Sequence, residues 1–128
     1  MGCLFCEIPP ERVITSNELA YAIRDGFPVT PFHTLVIPKN HKIDYFSLSN
    51  EELLACDHLL KTLKGEIQAL DPNVTGFNIG LNAGASAGQT VFHCHIHLIP
   101  RRDGDVSEPK GGVRHVIPGK GHYDASKD

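Results

Sequence analysis

Apolar positions change their period several times along the 128-residue chain, and each change marks an element. Glu18 to Ile23 is a β-rich run closed by the turn group Asp25-Gly26-Phe27-Pro28, which predicts a strand. Thr34-Leu35-Val36-Ile37, stopped by Pro38, predicts a second. A helix signal follows, with Ser49 and Glu52 spaced as a capping box. Leu53, Cys56, Leu60, Leu63, Ile67 and Leu70 then recur at intervals of three and four, until Asp71-Pro72-Asn73 ends the pattern. That stripe is expected to cover a sheet. Phe77, Ile79 and Leu81 alternate with Asn78, Gly80 and Asn82, giving a third strand with one apolar face.

Val91 to Pro100 reads as the most informative strand. Phe92, Cys94, Ile96 and Leu98 point toward a core, whereas His93, His95 and His97 point to the other face, successive members about 7 Å apart. Beyond Arg101, frequent Gly and Pro predict a loop or an irregular tail.

Composition narrows the class. Apolar residues at 41% and charged residues at 21% fit one soluble globular domain. A net charge of −3 argues against binding nucleic-acid polymers. Arg101, Arg102, Lys110, Arg114 and Lys120 cluster late and leave room for a small anionic ligand. No apolar run is long enough to cross a membrane and no signal pattern is present, so a cytoplasmic setting is expected. In that setting four cysteines do not suggest disulfides. Cys56 and Cys94 read as small core residues. Cys3 and Cys6 stand at CxxC spacing, which brings two thiolates onto one metal ion but needs two further ligands.

Three imidazoles in strict alternation do little for packing. They lie beside the small-residue loop Ala83 to Gly88 and the polar pair Gln89-Thr90. That loop lets backbone approach a ligand closely, although it lacks dinucleotide or P-loop glycine spacing. One metal held by all three histidines is disfavoured, because the outer rings sit two repeat steps apart on a strand. Nucleophilic chemistry is the better match.

The stretch His93-Cys94-His95-Ile96-His97-Leu98-Ile99, preceded by Gly88-Gln89-Thr90-Val91, resembles the signature of the histidine-triad (HIT) family. Pro31 to His41 and Cys3 to Ile8 resemble two further blocks of that family, in order, over residues 3 to about 103. The resemblance implies an α+β fold: an antiparallel sheet of about five strands with one long helix, in a homodimer. The chain would be a single domain, 1–128, with 104–128 as a tail.

The resemblance also implies roles. His95 would attack the α-phosphorus of a nucleotide and form a nucleotidyl-histidine that water cleaves. His97 would hydrogen-bond the phosphate or leaving group, and His33 would orient the nucleophile. Gln89 and Thr90 would hold phosphate and bridging oxygens, and Asn82 would supply a phosphate-side amide. Asp25 would accept from ribose hydroxyls, unless it is only a turn residue. Leu4, Phe5, Ile8 and Ile23 would wall the base. Cys3, Cys6, His41 and His93 match the four-ligand structural zinc site of one branch, with no metal in the chemical step. Arg101-Arg102-Asp103-Gly104-Asp105 looks like the branch that splits dinucleoside polyphosphates such as diadenosine tetraphosphate. A nucleoside phosphoramidase is the alternative. A purine-nucleotide-binding module with residual turnover is a third reading. Arg114 or Lys120 would reach distal phosphates of a long substrate.

Overall fold

The computed structural model describes residues 2–124 and 126. Five strands, β1 (Val13–Ser16), β2 (Ala20–Arg24), β3 (Thr34–Pro38), β4 (Val74–Gly80) and β5 (Ile96–Arg102), form one sheet in the order β1-β2-β3-β5-β4. Every neighbouring pair is antiparallel. One helix, α1 (Asn50–Leu70), packs across one face. The α+β architecture expected from the sequence is the one observed.

The helix begins where its capping box places it. Ser49 Oγ accepts from the Glu52 amide while Glu52 Oε1 accepts from the Ser49 amide, which satisfies donors the first turn leaves orphaned. Glu52 is itself buried, and its other oxygen accepts from the Asn40 side chain. These bonds hold its carboxyl below the usual carboxylate range although burial opposes them. The buried stripe runs Cys56, Leu59, Leu63 and Ile67. Leu59 takes the inward place expected of Leu60, which is half-buried, and Leu70 is exposed in the last turn. Against the stripe lie Ala20, Ala22, Val36, Ile96 and Leu98 from the sheet. Burial raises the Cys56 thiol to about 11 and Cys94 to about 12, which leaves both as inert packing groups.

Register places the second face. Val13 pairs with Ile23, Ile23 with Leu35, Leu35 with His97 and His97 with Gly80. One row of side chains therefore crosses the sheet from an apolar half, under the N-terminal segment, to a half where His97 stands beside an edge strand. Phe5, Tyr21, Ile23, Leu35 and Ile37 make the core of the first half. A short 3-10 turn, Gly112–Val116, lies over β4 on the other. No helix among the described residues is long and apolar enough to cross a membrane.

The histidine strand starts later than the alternation suggests. Residues 91–95 form a bend, and only His97 of the three lies within β5. The Cys94 amide donates to Lys42 O, and the His93 ring bonds Pro38 O. Those bonds tie the segment across the end of β3, off the ladder. His93 is consequently fully buried, and Phe92, expected in the core, is 47% exposed. The four-residue strand β1 was absent from the pattern reading.

Candidate active site and metal corner

Hydrogen bonds to groups that can only donate or only accept fix which nitrogen of each histidine carries a proton. His95 Nδ1 lies 2.8 Å from the carbonyl oxygen of His93, so Nδ1 is the donor. The neutral ring then keeps its lone pair on Nε2. His33 Nδ1 accepts from the Val29 amide at 3.1 Å, so its proton is on Nε2. That nitrogen faces His97 Nδ1 at 2.9 Å and donates to it, which puts the His97 proton on Nε2. Two neighbouring rings, 5.5 Å apart at their centroids, are thus held as opposite tautomers: His95 offers a lone pair and His97 a proton.

Burial favours the neutral forms of His33 and His97. It pushes both His33 and His97 below the ordinary imidazole value, and for His97 the adjacent His33 and His95 act in the same direction. Asp25 opposes the shift in both, its Oδ2 lying 3.4 Å from His33 Nε2 and 3.8 Å from His97 Nδ1. The other Asp25 oxygen accepts from the Phe27 amide. Asp25 therefore touches the histidine pair as well as closing its turn. Phe32, immediately before His33, sits in the left-handed region at φ 71°, a conformation that costs a bulky residue about 1–2 kcal/mol. It is packed on the core under the Arg24 guanidinium, and its carbonyl accepts from Thr34 Oγ1.

His93 faces away from this pair. Its Nε2 donates to Pro38 O at 2.8 Å, leaving the lone pair on Nδ1. Cys3 Sγ and Cys6 Sγ lie 3.2 and 3.5 Å from that nitrogen, and Cys6 Sγ lies 3.4 Å from His41 Nδ1. The four ligand atoms are all within 4.8 Å of one another. A tetrahedral zinc ion with bonds of about 2.3 Å to sulfur and 2.0 Å to nitrogen separates S from N by roughly 3.5 Å. A Cys₂His₂ donor set with a free lone pair aimed inward fits such an ion. Asp25, His33 and His97 also cluster, but a 2.9 Å N···N distance is that of a hydrogen bond.

The metal corner and the histidine pair share residues. The His93 carbonyl that fixes His95 belongs to a residue whose ring is one of the four converging donors. Phe5, between Cys3 and Cys6, lies with its ring centroid 4.8 Å from that of His95. Phe5, Ile8, Val13 and Tyr21 line a cavity of about 230 Å³ with Cys6 and Lys39. Of the expected base walls, Phe5, Ile8 and Ile23 therefore gather in one cluster, and exposed Leu4 stands outside it. Val13, Tyr21 and Lys39 were missed.

Gln89 is buried, with its amide committed to the loop. Its Nε2 donates to Ile43 O and Val91 O, and its Oε1 accepts from the Gly84 amide. Gly84 and Gly88 both have φ near +95°, so the loop turns where a side chain would be strained. Thr90 and Asn82 are exposed, and Asn82 lines a second cavity that reaches His97. Arg114 does not turn toward the triad. Its guanidinium donates to Lys120 O and Gly121 O and lies over the Tyr123 ring.

A hydrogen-bonded His33–His97 pair beside His95, on a five-stranded sheet backed by a helix, defines a class of histidine-centred site. The HIT-domain family profile matches residues 7–104, and the chain belongs to the HIT family. An uncharacterized 16.1 kDa HIT-like protein of Mycoplasma pneumoniae is 43% identical over 105 residues, covering 78% of this chain and 72% of its own length. A Zn-bound histidine triad family protein of Mycobacterium smegmatis superposes with a TM-score of 0.72 at 35% identity, covering 80% of this chain and 77% of that one. A diadenosine triphosphate hydrolase of Plasmodium falciparum, solved with cyclomarin A, gives 0.72 at 32% identity, with 79% and 68% covered.

Proposed function

We propose that the protein hydrolyses a dinucleoside polyphosphate, such as diadenosine tetraphosphate, through a nucleotidyl group carried on His95. The observation that carries this reading is the pair of opposite tautomers. A lone pair on His95 Nε2 and a proton on His97 Nε2 are what an in-line displacement at phosphorus needs on the attacking and stabilising sides. The hydrolase neighbour from Plasmodium supports the substrate class.

In the first step the His95 lone pair forms an N–P bond to the α-phosphorus as the P–O bond to the remaining phosphates breaks. His97 Nε2–H donates to the oxygen that gains charge while the His33 bond to its Nδ1 holds that tautomer, and the attacking water of the second step returns the proton to His97 Nε2. Water then cleaves the N–P bond, releases the nucleoside monophosphate and restores neutral His95. Asn82 and Thr90, exposed beside the triad, donate to phosphate oxygens. Gln89 acts from behind by holding the 84–91 loop in shape. Phe5, Ile8 and Ile23 receive the base, and Asp25 accepts from the ribose.

Cys3, Cys6, His41 and His93 bind a structural zinc ion in this reading, supported by the donor geometry and by the Zn-bound neighbour. The ion would supply no chemistry beyond fixing the N-terminus to the sheet. A homodimer is also proposed, supported by exposed Leu54 on α1 and Ile79 on the edge strand β4; light scattering on the purified chain tests it.

Incubation with diadenosine tetraphosphate is expected to yield AMP and ATP, with turnover reduced at least 1,000-fold in His95→Asn. Turnover of adenosine phosphoramidate alone would keep the His95 chemistry and change the leaving group. Tight AMP binding with neither substrate cleaved would make the chain a nucleotide-binding module.

A further inference from the structure

The sheet face beside His97 carries a second cavity, of about 660 Å³, within the range of small-molecule sites. Its floor is Ile99 of β5 with its register partner Asn78 of β4, and its far wall is Val113 and Val116 of the Gly112–Val116 turn. Both valines line this opening and are largely exposed, at 60% and 78%. The wall is built, not draped. Gly111 takes φ +94° and packs so closely on Gly121 that a Cβ there would lie 2.2 Å from the Gly121 carbonyl oxygen. His115 bonds Lys110 O and stacks edge-on against His122, while Arg114 ties the turn to residues 120, 121 and 123.

The position of this cavity relative to the triad determines what it receives. In the strand order β1-β2-β3-β5-β4, the Phe5 cavity lies over β1 and β2 and the tail cavity over β5 and β4. His97 lines the tail cavity from β5, between the two. In-line displacement sends the leaving group away from the nucleophile, and the group that His97 protonates leaves toward its own cavity. Apolar walls with the Asn78 amide among them suit a flat heteroaromatic group with polar edges, and Asn82 remains at the phosphate side.

We infer that the tail cavity is a leaving-group subsite that binds the second nucleoside of a dinucleoside polyphosphate, with Val113 and Val116 as its specificity wall. The inference rests on the proposed His95 reaction and names where the far half of that substrate lies. It makes the tail a determinant of which leaving groups are accepted.

Two measurements decide it. The first compares kcat/KM for diadenosine tetraphosphate with that for adenosine phosphoramidate, whose leaving group is ammonia. In Val113→Ser/Val116→Ser the ratio of the two is expected to fall about tenfold, as apolar contacts to the far nucleoside are lost. An unchanged ratio would overturn the subsite. The second is a methyl NMR titration of the non-turning-over His95→Asn protein. Val113, Val116 and Ile99 methyls are expected to shift with diadenosine tetraphosphate and to stay still with AMP. No shift with the dinucleotide, or equal shifts with both, would contradict the assignment. If the wild-type enzyme cleaves neither substrate, the nucleotidyl-transfer reading fails, and the titration still decides whether this cavity binds a second nucleoside.

Discussion

The two ends of the chain flank the same histidines and are held by different means. The N-terminal segment is anchored by side chains distant in sequence: Cys3 and Cys6 meet His41 and His93, and the Phe5 carbonyl accepts the Tyr21 hydroxyl. The tail after Asp105 is held by its own neighbours, through Arg114, His115 and the rings of His122 and Tyr123, and meets the sheet along β4. A segment of a few residues buries too little surface to fix itself, and the proposed zinc site would do that work through its four ligands. A self-contained tail can change without disturbing the sheet. In the proposed reaction the first end shapes the surroundings of the nucleophile and the second determines what lies beyond the scissile bond.

The largest effect expected from this contrast is on His33, which both ends leave alone. His33→Ala removes the donor to His97 and is expected to lower kcat about 100-fold with little change in nucleotide affinity. Equal losses in kcat and affinity would mean that His33 supports packing only. Next come the ends themselves. Chelation of the metal, or Cys3→Ser/Cys6→Ser, is expected to lower Tm by about 15 °C. Ligation at a thousandfold excess over Kd is worth roughly 4 kcal/mol in a domain of this size. AMP affinity should fall with it, because Phe5 is released. Truncation after Val106 should shift Tm by no more than about 5 °C. If truncation were the more damaging, the tail would be part of the core and the comparison would collapse.

A smaller effect concerns pH. His33 and His97 are pushed down by burial, so the unfolded chain binds more protons than the folded one just below the ordinary imidazole value. Their contribution to stability is complete above about pH 6.5 and is lost as pH falls through that value toward the lowered folded one. The urea midpoint should be flat from pH 8 to about 6.5 and decline below it, less steeply in His33→Gln. A decline that begins near pH 7.5 would contradict neutral, buried imidazoles.

Much of this was legible in the sequence, and the boundary between what was and was not has a physical cause. The capping box of Ser49 and Glu52 and the strands around Tyr21, Val36 and Ile96 depend on side-chain types at fixed spacing, whereas the gathering of Cys3, Cys6, His41 and His93 was legible only through the family resemblance. What escaped depends on backbone groups, which carry no sequence signal. The amide of Val29 selects the His33 tautomer, the carbonyl of His93 selects that of His95, and the bond from Cys94 to Lys42 lifts two histidines out of the strand. Gln89 shows the same limit, since an amide that reads as a phosphate donor is bound to two backbone groups of its own loop and to the Ile43 carbonyl of the segment after β3. β1 was unread because four residues at a sheet edge, half of them exposed, show too little alternation to stand out.

The central claim is that His95 Nε2 is the nucleophile, and trapping the intermediate tests it most directly. Diadenosine tetraphosphate mixed with excess enzyme, quenched in alkali within milliseconds and digested under alkaline conditions, should leave one adenylyl group on the peptide containing His95. That adduct should be absent from His95→Asn. An adenylyl group on another residue, or undiminished hydrolysis by His95→Asn, would contradict the account.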